Sequence, residues 1–333
     1  MKKEPNTLKG IRVIDLFAGI GGFHLALSSF GADIVYASEN DIKAAEVYEN
    51  NFKLKPHGDI TKEDINNIPA HEILCAGFPC QPFSISGKQL GFNDTRGTLF
   101  FDVARIAKEK QPAIIFLENV KNFESHNNGN TLKVINKTLD EIGYTPFYKV
   151  LDASDYGIPH SRKRIYIVAF RKDLEISEFE FPTPIPLKKH IKDIIIKNEN
   201  ISKYILPARY DIIWKDNIHP KLNNKPLRIG TVNKGGQGER IYSTNGTGIT
   251  LSAYGGGIGA KTGLYLIDGN VRRLTPKECL KLQGFPVTYK LCNNDNVSYK
   301  QLGNSVVVNV LQLIIEKIIE KKEIQQWLQV VQK

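Results

Sequence analysis

The sequence predicts an α/β fold in which a parallel sheet carries helices on both faces and is followed by a smaller, glycine-rich, β-containing domain. Three observations lead there. Through the first 170 residues, short apolar runs alternate with segments of helical period, the pattern of strands joined by crossover helices. The first run breaks into a glycine turn and then a helix, the order that binds nucleotides. After Arg171 the texture changes to a stretch punctuated by Pro182, Pro184 and Pro186, and then to a glycine-rich segment over 227–266.

The elements follow in order. Residues 11–17 form a strand-like run that breaks at Ala18-Gly19-Ile20-Gly21-Gly22, after which Phe23, Ala26, Leu27 and Phe30 recur at helical spacing. A second strand over 34–37 ends at Glu39, about 20 residues past the turn, the distance at which an acid reaches ribose hydroxyls. A helix over 42–51, the Gly58-Asp59-Ile60 turn, a strand over 73–76, a helix over 99–110 and a strand over 114–117 come next. Leu132, Ile135, Leu139 and Ile142 mark another helix, strands lie near 147–151 and 165–170, and an apolar segment over 306–331 reads as one closing helix that packs on the large domain.

Candidate chemistry sits at strand ends. Cys80 follows the 73–76 run in Gly77-Phe78-Pro79-Cys80-Gln81-Pro82, where open α/β sheets place ligands, and the two prolines bar continuation of strand or helix. A thiolate there, near Lys88, is a nucleophile, whereas Cys75 inside the run reads as a small buried hydrophobe. Glu118 ends the 114–117 strand on the same sheet edge and can serve as a general acid. Arg162 and Arg164 precede the 165–170 strand, and alternation in an extended chain points both the same way, to anchor a phosphate, hold substrate or orient Glu118. In the glycine-rich segment, 234–240 and 254–257 let backbone approach a ligand closely.

The 333 residues carry a formal net charge of +10, which favours a polyanionic partner. Four cysteines without a paired spacing fit a reducing cytosol and exclude a disulfide scaffold. No metal-ligand spacing, signal peptide or membrane-length apolar run is legible.

Asp15-Leu16-Phe17-Ala18-Gly19-Ile20-Gly21-Gly22-Phe23, Pro79-Cys80-Gln81, Glu118-Asn119-Val120, the Arg162/Arg164 pair and Gly303-Asn304-Ser305-Val306 occur in one order. In that order the chain resembles the DNA (cytosine-5)-methyltransferases over nearly its whole length, and its spacing is most similar to the bacterial HhaI-type, GCGC-modifying branch. The resemblance implies a Rossmann-like S-adenosylmethionine-dependent methyltransferase sheet with a smaller target-recognition domain. The expected organisation is a catalytic and cofactor-binding domain over 1–190, target recognition over 191–275, a hinge over 276–303 and a C-terminal helix over 304–333 returning to the catalytic domain. It implies Cys80 as nucleophile at cytosine carbon 6, Glu118 at N3 and the exocyclic amine, Arg164 on the base carbonyl and Arg162 supporting that neighbourhood. S-adenosyl-L-methionine, leaving as S-adenosyl-L-homocysteine, would meet Phe17, Gly19, Gly21, Glu39, Asn40, Asp59, Ile60, Pro79, Leu99, Asn304 and Val306. Double-stranded DNA, with one base turned out, would meet Ser84, Ser86, Lys88, Lys234, Gln237, Arg240, Tyr254 and Gly256, with Gln237 and Ser86 filling the hole. Asn40 replaces an aromatic that covers adenine in close relatives, and His160 and Lys163 depart from the usual arginine motif. A monomer in the bacterial cytoplasm, protecting host DNA beside a cognate restriction endonuclease, completes the expectation. The alternatives are a non-catalytic DNA-binding regulator, disfavoured by the intact Cys80, Glu118 and Arg164, and an RNA cytosine-5 methyltransferase, disfavoured by the long glycine-rich segment.

Overall fold

The computed structural model describes residues 6–79, 99–197 and 200–332. Two compact units share the chain, one built from Met1–Leu151, Lys163–Pro182 and Leu311–Lys333, the other from Asp152–Arg162 and Thr183–Val310. The units thus divide the chain at 151/152, 162/163, 182/183 and 310/311, where composition suggested contiguous blocks. The early crossing has a local cause. Segment 152–162 holds to the second unit by backbone bonds from Ser161 N–H to Gly248 and from Gly248 N–H to Pro159, at 2.8 and 2.7 Å.

The first unit opens with β1 (Arg12–Leu16), α1 (Gly22–Ser28), β2 (Asp33–Ser38) and α2 (Ile42–Phe52). It continues with β3 (Ile73–Ala76), α3 (Leu99–Lys110), β4 (Ile114–Val120), α4 (Asn130–Glu141), β5 (Tyr144–Asp152) and β6 (Lys163–Arg171). The strands lie in the order β2-β1-β3-β4-β6-β5. β1 pairs in parallel with β2 and β3, and β3 in parallel with β4, as the alternation required. β6 corrects the all-parallel expectation, since it runs antiparallel to β4. No α-helix separates β5 from β6, only a short 3-10 turn at Ala153–Asp155. The strand therefore returns without a crossover and fills the slot between β4 and β5.

Side chains alternate across this sheet. Ile14, Leu74 and Ile115 join the core formed with Phe100, Val103 and Ile106 of α3 and Leu132, Ile135 and Leu139 of α4. On the opposite face Phe23 of α1 meets the Phe116 ring edge-on at 5.2 Å. β3 is buried along its whole length, which explains why it reads as a continuous apolar run.

In the second unit β7 (Ile212–Trp214), β8 (Arg228–Val232), β9 (Arg240–Ser243), β10 (Leu264–Ile267) and β11 (Asn270–Arg272) form a sheet in the order β11-β10-β9-β8-β7. β9 and β10 are parallel and the other pairs antiparallel. α5 (Pro276–Leu282) and α6 (Asp295–Asn304) follow. The closing segment is two helices, α7 (Val308–Glu320) and α8 (Lys322–Val331), where one was expected. The break falls at Lys321-Lys322-Glu323, where the apolar period lapses and Lys321 turns extended. Ile315, Ile318, Ile324 and Trp327 line a narrow apolar cavity with Leu27, Ile73 and Phe116, so these helices cover the α1 face of the sheet. Residues 295–320 are together long and apolar enough for a membrane span, contrary to the sequence reading, but most of their apolar stretch is buried and they are divided between α6 and α7.

Arg272 and Glu278 form a two-pronged ion pair, both bonds 2.8 Å, at 1% and 0% side-chain exposure. Thr275 N–H and Ile196 N–H also donate to that carboxylate. Burying the pair gives little net stability, whereas removing one partner strands a charge. Glu278→Ala should therefore cost about 3–5 kcal/mol in urea unfolding, and a loss below about 1 kcal/mol would show that water already reaches the pair.

Candidate active site

The β1–α1 turn is shaped by backbone that few residues tolerate. Phe17, Gly19 and Gly21 have φ of +54°, +54° and +81°. At Gly21, which caps α1, a Cβ would lie 2.2 Å from the Phe52 ring, so no side chain fits. Phe17 is an aromatic residue in the left-handed region, a strain that persists only where its surroundings enforce it. Glu39, past the end of β2, fixes the turn by accepting from Gly19 N–H at 2.8 Å and from Asp41 N–H at 2.7 Å. Asp41 in turn caps α2 through Lys43 N–H and Ala44 N–H. Burial raises the Glu39 carboxyl above its ordinary range, and these backbone donors partly offset the rise.

Asp15 lies beneath this turn. It is 1% exposed, and neither carboxyl oxygen accepts a well-formed hydrogen bond among the described residues, although the His24 backbone N–H faces it. It pairs in register with Cys75 of β3. Burial pushes Asp15 well above the usual carboxylate range, with the His24 backbone N–H a partial offset. Burial and the Asp15 charge likewise raise the Cys75 thiol, which suits the inert reading of that cysteine. His24 stacks on Phe52 at 3.8 Å and bonds the Tyr48 hydroxyl at 2.7 Å, and burial lowers its pKa to about 4. It is neutral at physiological pH and offers Asp15 no cation.

The remaining candidate cofactor residues divide between the units. Asp59 caps the Ile60–Lys62 turn through Thr61 N–H at 3.1 Å and the Thr61 hydroxyl at 2.8 Å, while Ile60 is buried and accepts from Arg105. Asn40 and Pro79 are exposed and Leu99 opens α3 half-buried. Asn304, exposed, and Val306, buried, belong to the second unit.

At the carboxyl end of β4, Glu118 and Arg164 of β6 form an ion pair, Nε to Oε1 at 3.0 Å, with side chains only 9% and 12% exposed. Asn119 Nδ2 donates to the Phe78 carbonyl at 2.9 Å, and Glu118 Oε2 lies 3.9 Å from where a Cβ on Gly77 would sit. The segment that leads into Cys80 is thereby pinned against Glu118 and Asn119. Cys80 itself, with Ser84, Ser86 and Lys88, lies outside the described residues.

Arg162 does not share the direction of Arg164. It stands one residue before β6, so strand alternation does not govern it, and its guanidinium donates to Leu251, Gly303 and Ser305 carbonyls at 3.3, 3.1 and 2.5 Å within the second unit. His160, a departure from the usual motif, accepts the Leu251 N–H at 3.2 Å. Lys234, Gln237 and Gly256 are exposed, Tyr254 is 79% exposed, and Arg240 opens β9 half-buried with no side-chain hydrogen bond or ion pair among the described residues. Asp15 is the site residue that sequence reasoning passed over: it was quoted only as the first letter of a motif, and the available signal was an acid at an inward position of a buried strand.

A mixed, mostly parallel α/β sheet with a glycine turn and a strand-end Glu–Arg pair is the framework of a nucleotide-cofactor enzyme, and likeness to known proteins makes it a methyltransferase. Residues 11–320 fit the model of the C-5 cytosine-specific DNA methylases, and the chain belongs to that family. It is 55% identical to the type II methyltransferase M.HhaI of Haemophilus parahaemolyticus, over 95% of this chain and 96% of that protein. It is 43% identical to M.HaeII of Haemophilus aegyptius, over 94% of each chain. Among solved structures, the S. pombe Dnmt2 methyltransferase superposes with a TM-score of 0.70 at 24% identity, over 93% of this chain and 98% of that one, a likeness of fold. The protein is a DNA (cytosine-5)-methyltransferase of the type II restriction-modification kind.

Asp15 makes a pH prediction. A carboxyl held protonated to higher pH in the folded state contributes stability that is complete below its unfolded pKa and is lost as pH rises through the folded value. Asp15→Asn removes that loss. The stability gap between the variant and the parent, read by urea unfolding without ligand, should widen in the variant's favour from pH 5 to pH 8. A gap that stays flat would show Asp15 to be solvated or paired.

Proposed function

We propose that the enzyme methylates carbon 5 of the inner cytosine of GCGC in duplex DNA, after turning that base out of the helix and adding the Cys80 thiolate to its carbon 6. One observation carries the reading: Glu118, paired with Arg164, stands against Gly77, and its neighbour Asn119 holds Phe78, the residues that lead into Pro79-Cys80.

Carbon 5 of cytosine is a weak nucleophile. Addition of a thiolate at carbon 6 makes the ring enamine-like and moves electron density toward N3. Glu118 would hold a proton at N3 and bond the exocyclic amine, which also selects cytosine. Arg164 orients that carboxyl and stands ready for the base carbonyl. After methyl transfer, loss of the carbon 5 proton and departure of the thiolate restore the aromatic ring.

The methyl donor implied by the family is S-adenosyl-L-methionine, which when bound supplies an electrophilic methyl on a sulfonium. The residues present fit such a ligand: Asp15 is a buried acid whose carboxyl oxygens accept no well-formed hydrogen bond among the described residues, and Gly19 leaves backbone open in the turn that follows it. Phe17 and Glu39 would hold the nucleoside, with Glu39 at the ribose, and Asp59 and Ile60 would hold the adenine. Exposed Asn40 gives that ring no aromatic lid.

DNA would be read by the second unit. Arg240, with no side-chain hydrogen bond or ion pair among the described residues, suits the two acceptors of a guanine edge, worth about 1–3 kcal/mol of discrimination. Gln237, with Ser86, would fill the vacated stack, and Lys88 and Lys234 would meet phosphates. The enzyme would act as a monomer in the cytoplasm beside an endonuclease of the same specificity.

Labelled methyl transfer to a GCGC duplex tests the reading, with bisulfite sequencing to locate the product. Cys80→Ser should abolish transfer and also abolish the covalent complex that the parent forms with 5-fluorocytosine DNA; equal incorporation by the variant would remove Cys80 from the mechanism. Glu118→Gln should lower kcat by about 10²–10⁴-fold, while donor affinity measured by calorimetry stays within about twofold.

A further inference from the structure

The two glycine-rich loops of the second unit are joined backbone to backbone. β9 and β10 are parallel, pairing Leu264 with Ile241 and Tyr265 with Tyr242. The segments that enter them, 233–239 and 252–263, therefore emerge from the same edge of the sheet. There the Gly238 carbonyl accepts the Gly259 N–H at 2.7 Å. A Cβ on Gly238 would stand 1.9 Å from the Gly256 carbonyl oxygen and 3.3 Å from the Gly257 Cα, so the approach is open to glycine alone.

Each loop is also braced from within. Glu239 accepts from Gly236 N–H at 2.8 Å and from Asn233 Nδ2 at 2.9 Å, which fixes the turn that carries Gln237. Ser252 N–H donates to the Lys261 carbonyl at 2.9 Å and closes the neck of the second loop.

We infer that Gly238 is a positioning residue for sequence discrimination: it clasps Gln237 and Arg240 of the first loop to Tyr254 and Gly256 of the second, so that one reading surface is assembled before DNA arrives. The inference rests on the DNA-reading role proposed above. Bonds to base edges weaken steeply with angle, so two loops that wander independently would bond wrong and right bases with little difference. Loops ordered only on binding would also lose conformational entropy at that step. A clasp closed during folding avoids both.

The test compares kcat/KM of the full chain on GCGC duplexes with kcat/KM on duplexes changed at one flanking base. Gly238→Ala should lower that ratio by about tenfold or more, while donor affinity stays within about twofold and reports an intact fold. Gly259→Ala places a Cβ 2.8 Å from the Gly238 carbonyl oxygen and should open the same contact from the other side, so the double variant should lose less than the sum of the two singles. In the parent protein without DNA, hydrogen exchange should show the Gly259 amide protected, a reading that requires no variant to fold. A ratio within twofold of the parent in a folded Gly238→Ala, additive losses in the double variant, or a Gly259 amide exchanging at the rate of a free loop would each overturn the clasp. If the parent transfers no methyl to GCGC, the functional reading fails instead, and the exchange measurement still decides whether the loops are joined.

Discussion

A carboxylate at Glu118 could not be held at 9% exposure without a cation beside it, and the sheet is arranged to supply one. In the β4–β6 register Glu118 stands opposite Tyr166, and Arg164 opposite Val120, two residues toward the end of β4 where open α/β sheets do their chemistry. Because β6 runs antiparallel, its amino-terminal end arrives at that edge. A parallel strand would have carried Arg164 to the opposite end of β4, away from Glu118. The irregular member of the sheet is thus the one on which the acid depends.

The acids near the glycine turn are treated in opposite ways. Glu39 has both oxygens occupied by backbone N–H groups, so it serves the shape of the turn whatever else it binds. Asp15, deeper in the sheet, accepts no well-formed hydrogen bond among the described residues. Nearby His24 is kept neutral by burial and supplies Asp15 no cation. A buried acid two residues from a strained Phe17 is costly to fold, and features of this kind gather at functional sites.

Much of this was legible because each feature leaves a local trace. The helix over 99–110 matches α3 at both ends, and the runs over 34–37 and 73–76 fall within β2 and on β3, since period and burial act over a few residues. Strand direction leaves no such trace: the run at 165–170 reads the same in a parallel or an antiparallel sheet, and only the missing helix before it hints at a return. The two closing helices read as one because a single polar triplet at Lys321-Lys322-Glu323 looks like a solvated face until the chain turns there. The arginine pair misled for a different reason. Alternation was assumed for Arg162, whose backbone lies outside the strand, and two residues of sequence then separate side chains with unrelated partners.

The fate of Arg162 follows from the kind of backbone around it. Residues 248–253 and 303–305 approach so closely that a Cβ on Gly303 would lie 2.5 Å from Ala253 N. Leu251 and Ser305 are buried and lie, as those approaching segments do, outside the strands, so neither has a ladder to take its carbonyl. Buried carbonyls without donors are expensive. A guanidinium is the side chain with enough donors in a fixed plane to reach several acceptors at once, and Arg162 reaches three. Lysine could not replace it there, because a single ammonium on a flexible stem would leave carbonyls unmet. An arginine at this position is therefore required by the interior of the second unit before any demand from the reaction is considered.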